Sequence, residues 1–405
     1  MEGLYISRKN ASPAAEFFLK LGLFLLFLQS LNAWFTWELN PFFIPVLSTV
    51  MCIPCFLQLK SSFGVSNKKF IILGGILIIA WLFSIGETNF NGYVGGLIII
   101  LPVLLIIPLN DRIKLDSLRF FTYGMAVILV PSLITWILLL LGVGLPNLGR
   151  ISNSSWEYYV YDNYFFCLKN SLLYARRFHS IFLEPGHLGM IAAFLLFVNK
   201  FEIKRKAVLI ILISAIFTLS LAGYVLIIIS FTLYVMLYSK RSLTYLGISL
   251  FVVVCGYFFF ANYNNGNNIV NEQIISRLKY DDSQGDIVGD NRVTGKLSSY
   301  YNVFIDSDEA WYGIGLDRFN GMHFGPSAGI KVFVVQNGII GTFLAFLFYF
   351  AIVLFNRSKF SMALLLIYIL AFFQRAYPFW ACELLIFITA MPIPAQDNLK
   401  IERID

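Results

Sequence analysis

Phe17-Phe18-Leu19-Lys20-Leu21-Gly22-Leu23-Phe24-Leu25-Leu26-Phe27-Leu28-Gln29-Ser30-Leu31-Asn32-Ala33-Trp34 carries a single charge, Lys20. At about 1.5 Å of rise per residue, a helix of this length reaches most of the way across the roughly 30 Å hydrocarbon core of a bilayer. Runs of the same kind recur near 41–57, 70–85, 94–109, 119–141, 187–199, 207–222, 224–238, 244–261, 331–355, 360–374 and 379–391. The two at 207–238 read as a hairpin around Leu221-Ala222-Gly223. The expected fold is therefore an all-α, polytopic integral membrane protein with about a dozen transmembrane helices. Composition agrees, with 58% of the 405 residues hydrophobic and 13% charged. A soluble domain carries about 25% charged residues, so this chain has too little polar surface to cover a water-facing exterior. The apolar runs extend from end to end, which predicts one membrane domain over 1–405 rather than a series of soluble ones.

The net charge of +7 lies in the gaps between apolar runs, as membrane topology requires; no soluble basic face for nucleic acid emerges. With the N-terminus inside, the cytoplasmic side receives Arg8, Lys9, Lys60, Lys68, Lys69, Arg112, Lys114, Arg119, Lys200, Lys204, Arg205, Lys206, Lys240, Arg241, Arg357, Lys359, Lys400 and Arg403, or 18 of the 30 basic residues. The short outward connections at 35–40, 86–93 and 222–223 hold none, and 375–378 holds only Arg375. That asymmetry predicts both termini in the cytoplasm. No cleavable signal follows the first apolar run. Of the five cysteines, Cys52 and Cys55 form a C-x-x-C, but inside an apolar segment, where packed thiols are the expectation.

Two outward connections are long, 142–186 and 262–330. Both mix aromatics with charges, as in Trp156-Glu157-Tyr158-Tyr159 and Trp311-Tyr312, which favours folded segments over disordered ones. Both are expected to fold partly into short helices on the membrane surface. The first ends in Arg176-Arg177-Phe178-His179-Ser180-Ile181-Phe182-Leu183-Glu184-Pro185-Gly186-His187-Leu188-Gly189, with two arginines, two of the three histidines and a carboxylate at the start of a membrane helix. Ionisable groups at the hydrocarbon edge are costly unless paired or useful. Guanidinium groups donate two parallel hydrogen bonds, and helix N-termini attract anions, so the block suits an anionic, lipid-proximal ligand such as a diphosphate. The second connection offers Gly313-Ile314-Gly315-Leu316-Asp317-Arg318-Phe319, then His323 and Gly325-Pro326-Ser327. No nucleotide-binding glycine motif is present, and neither Asp281-Asp282 nor the histidines have the companion ligands a metal needs. No cofactor or metal is expected.

Arg177-x4-Phe182-x-Glu184-Pro185 at the entry to a membrane helix resembles the R…F-x-E-P motif of Wzy-type O-antigen and capsule repeat-unit polymerases. Tyr312-Gly313-Ile314-Gly315-Leu316 resembles their G-x-G turn, and Ser327 with Gln336-Asn337-Gly338-Ile339-Ile340-Gly341 the small-polar and G-I-I-G positions after it. Two large periplasmic loops on a helical bundle, the GT-C-like ligase and polymerase layout, belong to the same resemblance. It implies a glycosyltransferase in a bacterial inner membrane that joins undecaprenyl-diphosphate-linked oligosaccharides into long polysaccharide. Membrane lipid and a chain-length regulator protein are the implied partners, and no nucleotide sugar or metal is implied.

By the same resemblance, arginines of both loops meet on the diphosphates: Arg176 and Arg177 from the first, Arg292 and Arg318 from the second, with His323 beside them. The base that takes the acceptor's proton is expected to be Glu184, then His179, then His323; a structural ion pair from Glu184 to Arg176 or Arg177 is the alternative. Rival readings are an O-antigen ligase, whose His-Asn pair is absent because Phe324 follows His323, a transporter or flippase, and a structural membrane protein.

Overall fold

The computed structural model describes residues 11–59, 67–85, 90–153, 156–170, 176–278, 280–281, 286–287, 293–325, 327 and 329–394. Its helices are α1 (Pro13–Ser30), α2 (Phe43–Leu59), α3 (Asn67–Ile85), α4 (Phe90–Ile106), α5 (Asp111–Leu140), α6 (Pro185–Val198), α7 (Lys206–Phe217), α8 (Leu221–Tyr238) and α9 (Ser242–Asn262). They continue with α10 (Gly295–Phe304), α11 (Leu316–Gly321), α12 (Ile330–Phe355), α13 (Lys359–Gln374) and α14 (Ala381–Ala390). Among the described residues, six helices are long and apolar enough to cross a membrane: α1, α3, α5, α8, α9 and α12. Six more, α2, α4, α6, α7, α13 and α14, are apolar but span only 10–17 residues in their apolar part. The chain is a helical membrane protein.

Local sequence sets the ends of these helices. Ser12 accepts a hydrogen bond from the Ala15 amide and Pro13 opens α1 without needing a donor. Asn110 caps α5 at Ile113, so this helix begins eight residues before the apolar run that announced it. Between α7 and α8 the chain turns at Leu219, which has a positive φ, and Ser220 caps the Gly223 amide. The hairpin expected around Leu221-Ala222-Gly223 is thus two helices, meeting just before those residues.

Helix α6 is the centre of the bundle: every residue of Pro185–Val198 except Gly186 is buried. A helix apolar all round belongs in an interior. It packs on α7, α8, α13 and α14, and Gly189 meets Gly223 of α8 so closely that a Cβ at Gly223 would lie 2.9 Å from the Gly189 Cα. Small residues permit such backbone approach between membrane helices. By contrast, α9 buries no residue, as expected of a helix at the lipid boundary.

The long connection before α6 departs from expectation. Instead of short surface helices it forms a three-stranded antiparallel sheet, β1 (Arg150–Asn153), β2 (Trp156–Asn163) and β3 (Leu168–Lys169). The aromatic and β-branched run Trp156-Glu157-Tyr158-Tyr159-Val160-Tyr161 favours a pleated strand, and its pairing partner Arg150-Ile151-Ser152 satisfies it. The second connection does contain short helices, α10 and α11.

Candidate functional site

The segment Phe178–Glu184 leads into α6 without being helical, and Phe178–Leu183 is buried throughout. Irregular backbone at this depth survives only if its polar groups are satisfied by protein. They are: the Phe178 amide donates to Phe217 O (2.9 Å), the Ser180 carbonyl accepts from Leu168 N (2.8 Å) and the Ile181 carbonyl from Trp34 N (3.0 Å). The Leu183 carbonyl accepts from Tyr161 Oη (2.6 Å), and Ser180 Oγ donates to Ser132 Oγ of α5 (2.7 Å). Sheet, α1–α2 connection, α5 and α7 therefore clamp this segment and fix where α6 begins.

At that beginning stands a charged cluster. The Glu184 carboxylate is ion-paired with Arg375, and the two side chains are only 14% and 13% exposed. Arg375 also donates through Nη1 to His187 Nε2 (2.8 Å). A guanidinium has no acceptor, so His187 Nε2 must be unprotonated and the ring carries its proton on Nδ1. Gly186 makes room for this: a Cβ there would sit 2.9 Å from an Arg375 guanidinium nitrogen. The ion pair foreseen between Glu184 and Arg176 or Arg177 is thus made by a different arginine. Arg375 lies 191 residues away, just past the end of α13, and no local pattern marks it.

Arg177 donates from Nε to the Thr218 carbonyl (3.0 Å), which anchors it to the α7–α8 turn. With Arg176, Lys169 and Trp136 it lines a cavity of about 230 Å³. His179 is 1% exposed, its Nδ1 2.6 Å from the Phe182 carbonyl and its ring beside Tyr161 (centroids 5.5 Å). Burial pushes its pKa down to about 4, with the nearby Arg177 adding to the effect. His179 is a neutral, enclosed side chain that holds the segment's turn, and in this conformation no substrate hydroxyl can reach it.

The second connection folds onto α12, which is not one continuous helix. Gly338 breaks it with φ +68° and ψ −178°, a conformation essentially reserved for glycine. The Gly313-Ile314-Gly315 turn docks on this break. Ile314 N donates to Val335 O (2.9 Å) and Gly315 N to Gln336 O (3.0 Å). The approach tolerates no side chain: a Cβ at Gly313 would be 2.4 Å from Gln336 O, and one at Gly338 2.4 Å from Trp311 O. Two motifs more than twenty residues apart are thus one structural unit. Beside it opens a cavity of about 600 Å³ lined by Tyr312, Asp317, Arg318 and Gln336, with Phe83 of α3 and Tyr93 of α4 opposite. Arg318 pairs with Glu309 (2.6 Å), which raises its pKa further above the ordinary arginine value. Ser327 Oγ lies 3.3 Å from Thr294 Oγ1 at the cap of α10, a structural tie. His323 is exposed, with φ +49°, and its carbonyl accepts from Lys296 Nζ (3.2 Å).

The expected meeting of guanidinium groups from both connections in one pocket is not found among the described residues. Arg176 and Arg177 line one cavity and Arg318 another; Arg292 lies outside the described residues. Both cavities and the Glu184–Arg375 pair nevertheless stand at the same end of the bundle. Gly329, at the start of α12, lies against the Phe373 and Gln374 carbonyls beside Arg375. Trp81 of α3 packs on Phe379 (5.5 Å), two residues before the Phe83 that lines the larger cavity. Among the residues lining the larger cavity Asp317 is the carboxylate, exposed at the first turn of α11; the quoted motif contains it without an assigned role. No group of three metal-ligating side chains occurs among the described residues. No family model matches the chain, and no curated protein or solved structure is detectably similar to it.

Proposed function

We propose that the protein is a polytopic glycosyltransferase that joins polyprenyl-diphosphate-linked oligosaccharide repeat units into long polysaccharide at the outer face of a bacterial inner membrane. In this reading the twelve apolar helices all span or line the membrane, both termini are cytoplasmic, and the two long connections face the periplasm. What supports it above all is the pair of cation-bearing cavities at the same end of the bundle as the largely enclosed Glu184–Arg375 pair. A polymerase handles two lipid-linked glycans at once, a donor and an acceptor, so two cavities suit the reaction where a single arginine pocket was first expected.

In the proposed step the acceptor's sugar hydroxyl attacks the anomeric carbon of the donor. The bond from that carbon to the diphosphate oxygen breaks, and polyprenyl diphosphate leaves with the electron pair. Arg177, held by its bond to the Thr218 carbonyl, and Arg176 beside it offset the growing negative charge on the leaving diphosphate. The larger cavity takes the acceptor glycan: Tyr312 and Tyr93 offer ring faces, while Gln336, Asp317 and Arg318 offer hydrogen bonds. The acceptor's proton passes to a carboxylate. Asp317 is the carboxylate among the residues lining the larger cavity and is open to a bound hydroxyl, whereas Glu184 is engaged by Arg375.

A gel of surface polysaccharide from a deletion strain tests the reaction class. A polymerase mutant keeps one repeat unit on its core, whereas a ligase mutant retains lipid-linked polymer and a flippase mutant has neither. Complementation with Arg177→Ala should leave the protein in the membrane but make no long chains; full-length chains would exclude the diphosphate role of Arg177.

A further inference from the structure

At the end of the bundle opposite Arg375, α8, α12 and α13 enclose a groove of about 890 Å³. Its walls are apolar, among them Leu237, Phe350, Leu366 and Ile369, and its rim carries Arg357 and Lys359. Both cations are exposed and neither forms an ion pair among the described residues. Ser358, between them, caps α13 with a reciprocal bond to Ser361, so the positive end of that 16-residue helix also faces the rim.

The length of the groove limits what can fill it. From Lys359 to Ile369 the wall runs ten helical residues, roughly 15 Å at 1.5 Å per residue. That is half of the roughly 30 Å hydrocarbon core, the depth of one leaflet. A polyprenyl chain, whose length exceeds a leaflet, would overrun it. We infer that this groove is a binding site for one anionic glycerophospholipid of that leaflet, its acyl chains along α13 and its phosphate between Arg357 and Lys359. The inference uses no residue of the proposed transferase site and stands apart from it.

The protein reconstituted in nanodiscs of equal phosphatidylglycerol and phosphatidylcholine, then extracted in mild detergent and weighed by native mass spectrometry, tests this. Wild type should retain phosphatidylglycerol in preference to phosphatidylcholine. The double variant Arg357→Gln/Lys359→Gln should hold phosphatidylglycerol about thirty-fold less tightly, each cation contributing a few-fold. Leu366→Trp, which fills the groove while keeping both charges, should displace the lipid as well. Equal retention of the two lipids by wild type, or unchanged phosphatidylglycerol in both variants, would overturn the assignment. So would a dimer in the wild-type spectrum that Leu366→Trp dissolves, because the groove would then belong to a second copy of the chain.

Discussion

The Glu184–Arg375–His187 cluster and the Tyr312–Arg318 cavity face the same end of the bundle but are built in opposite ways. In the first, charged side chains are nearly enclosed, paired with one another and set at the mouth of α6, which is buried at every residue but Gly186. In the second, Tyr312, Asp317 and Arg318 are exposed, and the enclosure is made by backbone, through Gly313 seated on the break at Gly338. Enclosed charge is costly to disturb because each partner, left alone, is a buried ion. Open charge is cheap to mutate for the fold and available to a ligand. The first region should therefore answer to substitution in stability and activity together, whereas the exposed side chains of the second should answer in activity alone.

The largest effect should come from Arg375→Ala. It strands the Glu184 carboxylate and removes a hydrogen bond from His187, at a cost of about 3–5 kcal/mol; thermal unfolding in detergent should show the drop, and Arg375→Lys should recover only part of it. If Arg375→Ala unfolds like wild type, the Glu184–Arg375 pair does not hold the entry to α6. Next, Asp317→Asn should lower turnover by roughly 10²–10⁴ with unchanged thermal stability, while Glu184→Gln should lower both. The reverse pattern would return the role of base to Glu184.

The two regions also differed in how legible they were. The apolar runs announced the twelve apolar helices because hydrophobicity is a property of the local chain. Arg177, Glu184 and the G-x-G turn were visible as motifs. Arg375 was not, since a single arginine in a four-residue connection has no periodicity or spacing to reveal its partner in α6. The break in α12 was hidden for the opposite reason. Ile330–Phe355 is apolar throughout, and hydropathy cannot register one glycine leaving the helical conformation. In the first connection, Trp156–Asn163 pairs as a strand with Arg150–Asn153, but its run Tyr158-Tyr159-Val160-Tyr161 has no polar–apolar alternation, so periodicity does not separate strand from helix there.

A smaller effect probes the backbone-built region. Gly338→Ala forces an alanine into φ +68°, ψ −178° and against Trp311 O, at a cost of about 1–3 kcal/mol. Its thermal midpoint should fall while Arg177→Ala stays near wild type; no change would mean that the helix break relaxes without the turn.

The smallest concerns His179. Its pKa is near 4 when folded against about 6.5 when exposed. The unfolded chain thus takes up the proton first as pH falls. The stability His179 contributes is complete above about pH 6.5 and declines from there toward pH 4. Between pH 7 and pH 6 the loss should stay under about 1 kcal/mol, and His179→Asn should flatten it. A steeper loss above pH 7 would place the titration elsewhere.

The transferase reading meets its most direct test in purified protein alone. In nanodiscs supplied with polyprenyl-diphosphate-linked repeat units, chelator and no nucleotide sugar, the protein should build a ladder of glycans, each addition releasing one polyprenyl diphosphate. Arg375→Ala and Asp317→Asn should build none. Repeat units left unjoined by the wild-type protein, or a ladder that Arg375→Ala and Asp317→Asn make as well as wild type, would contradict it.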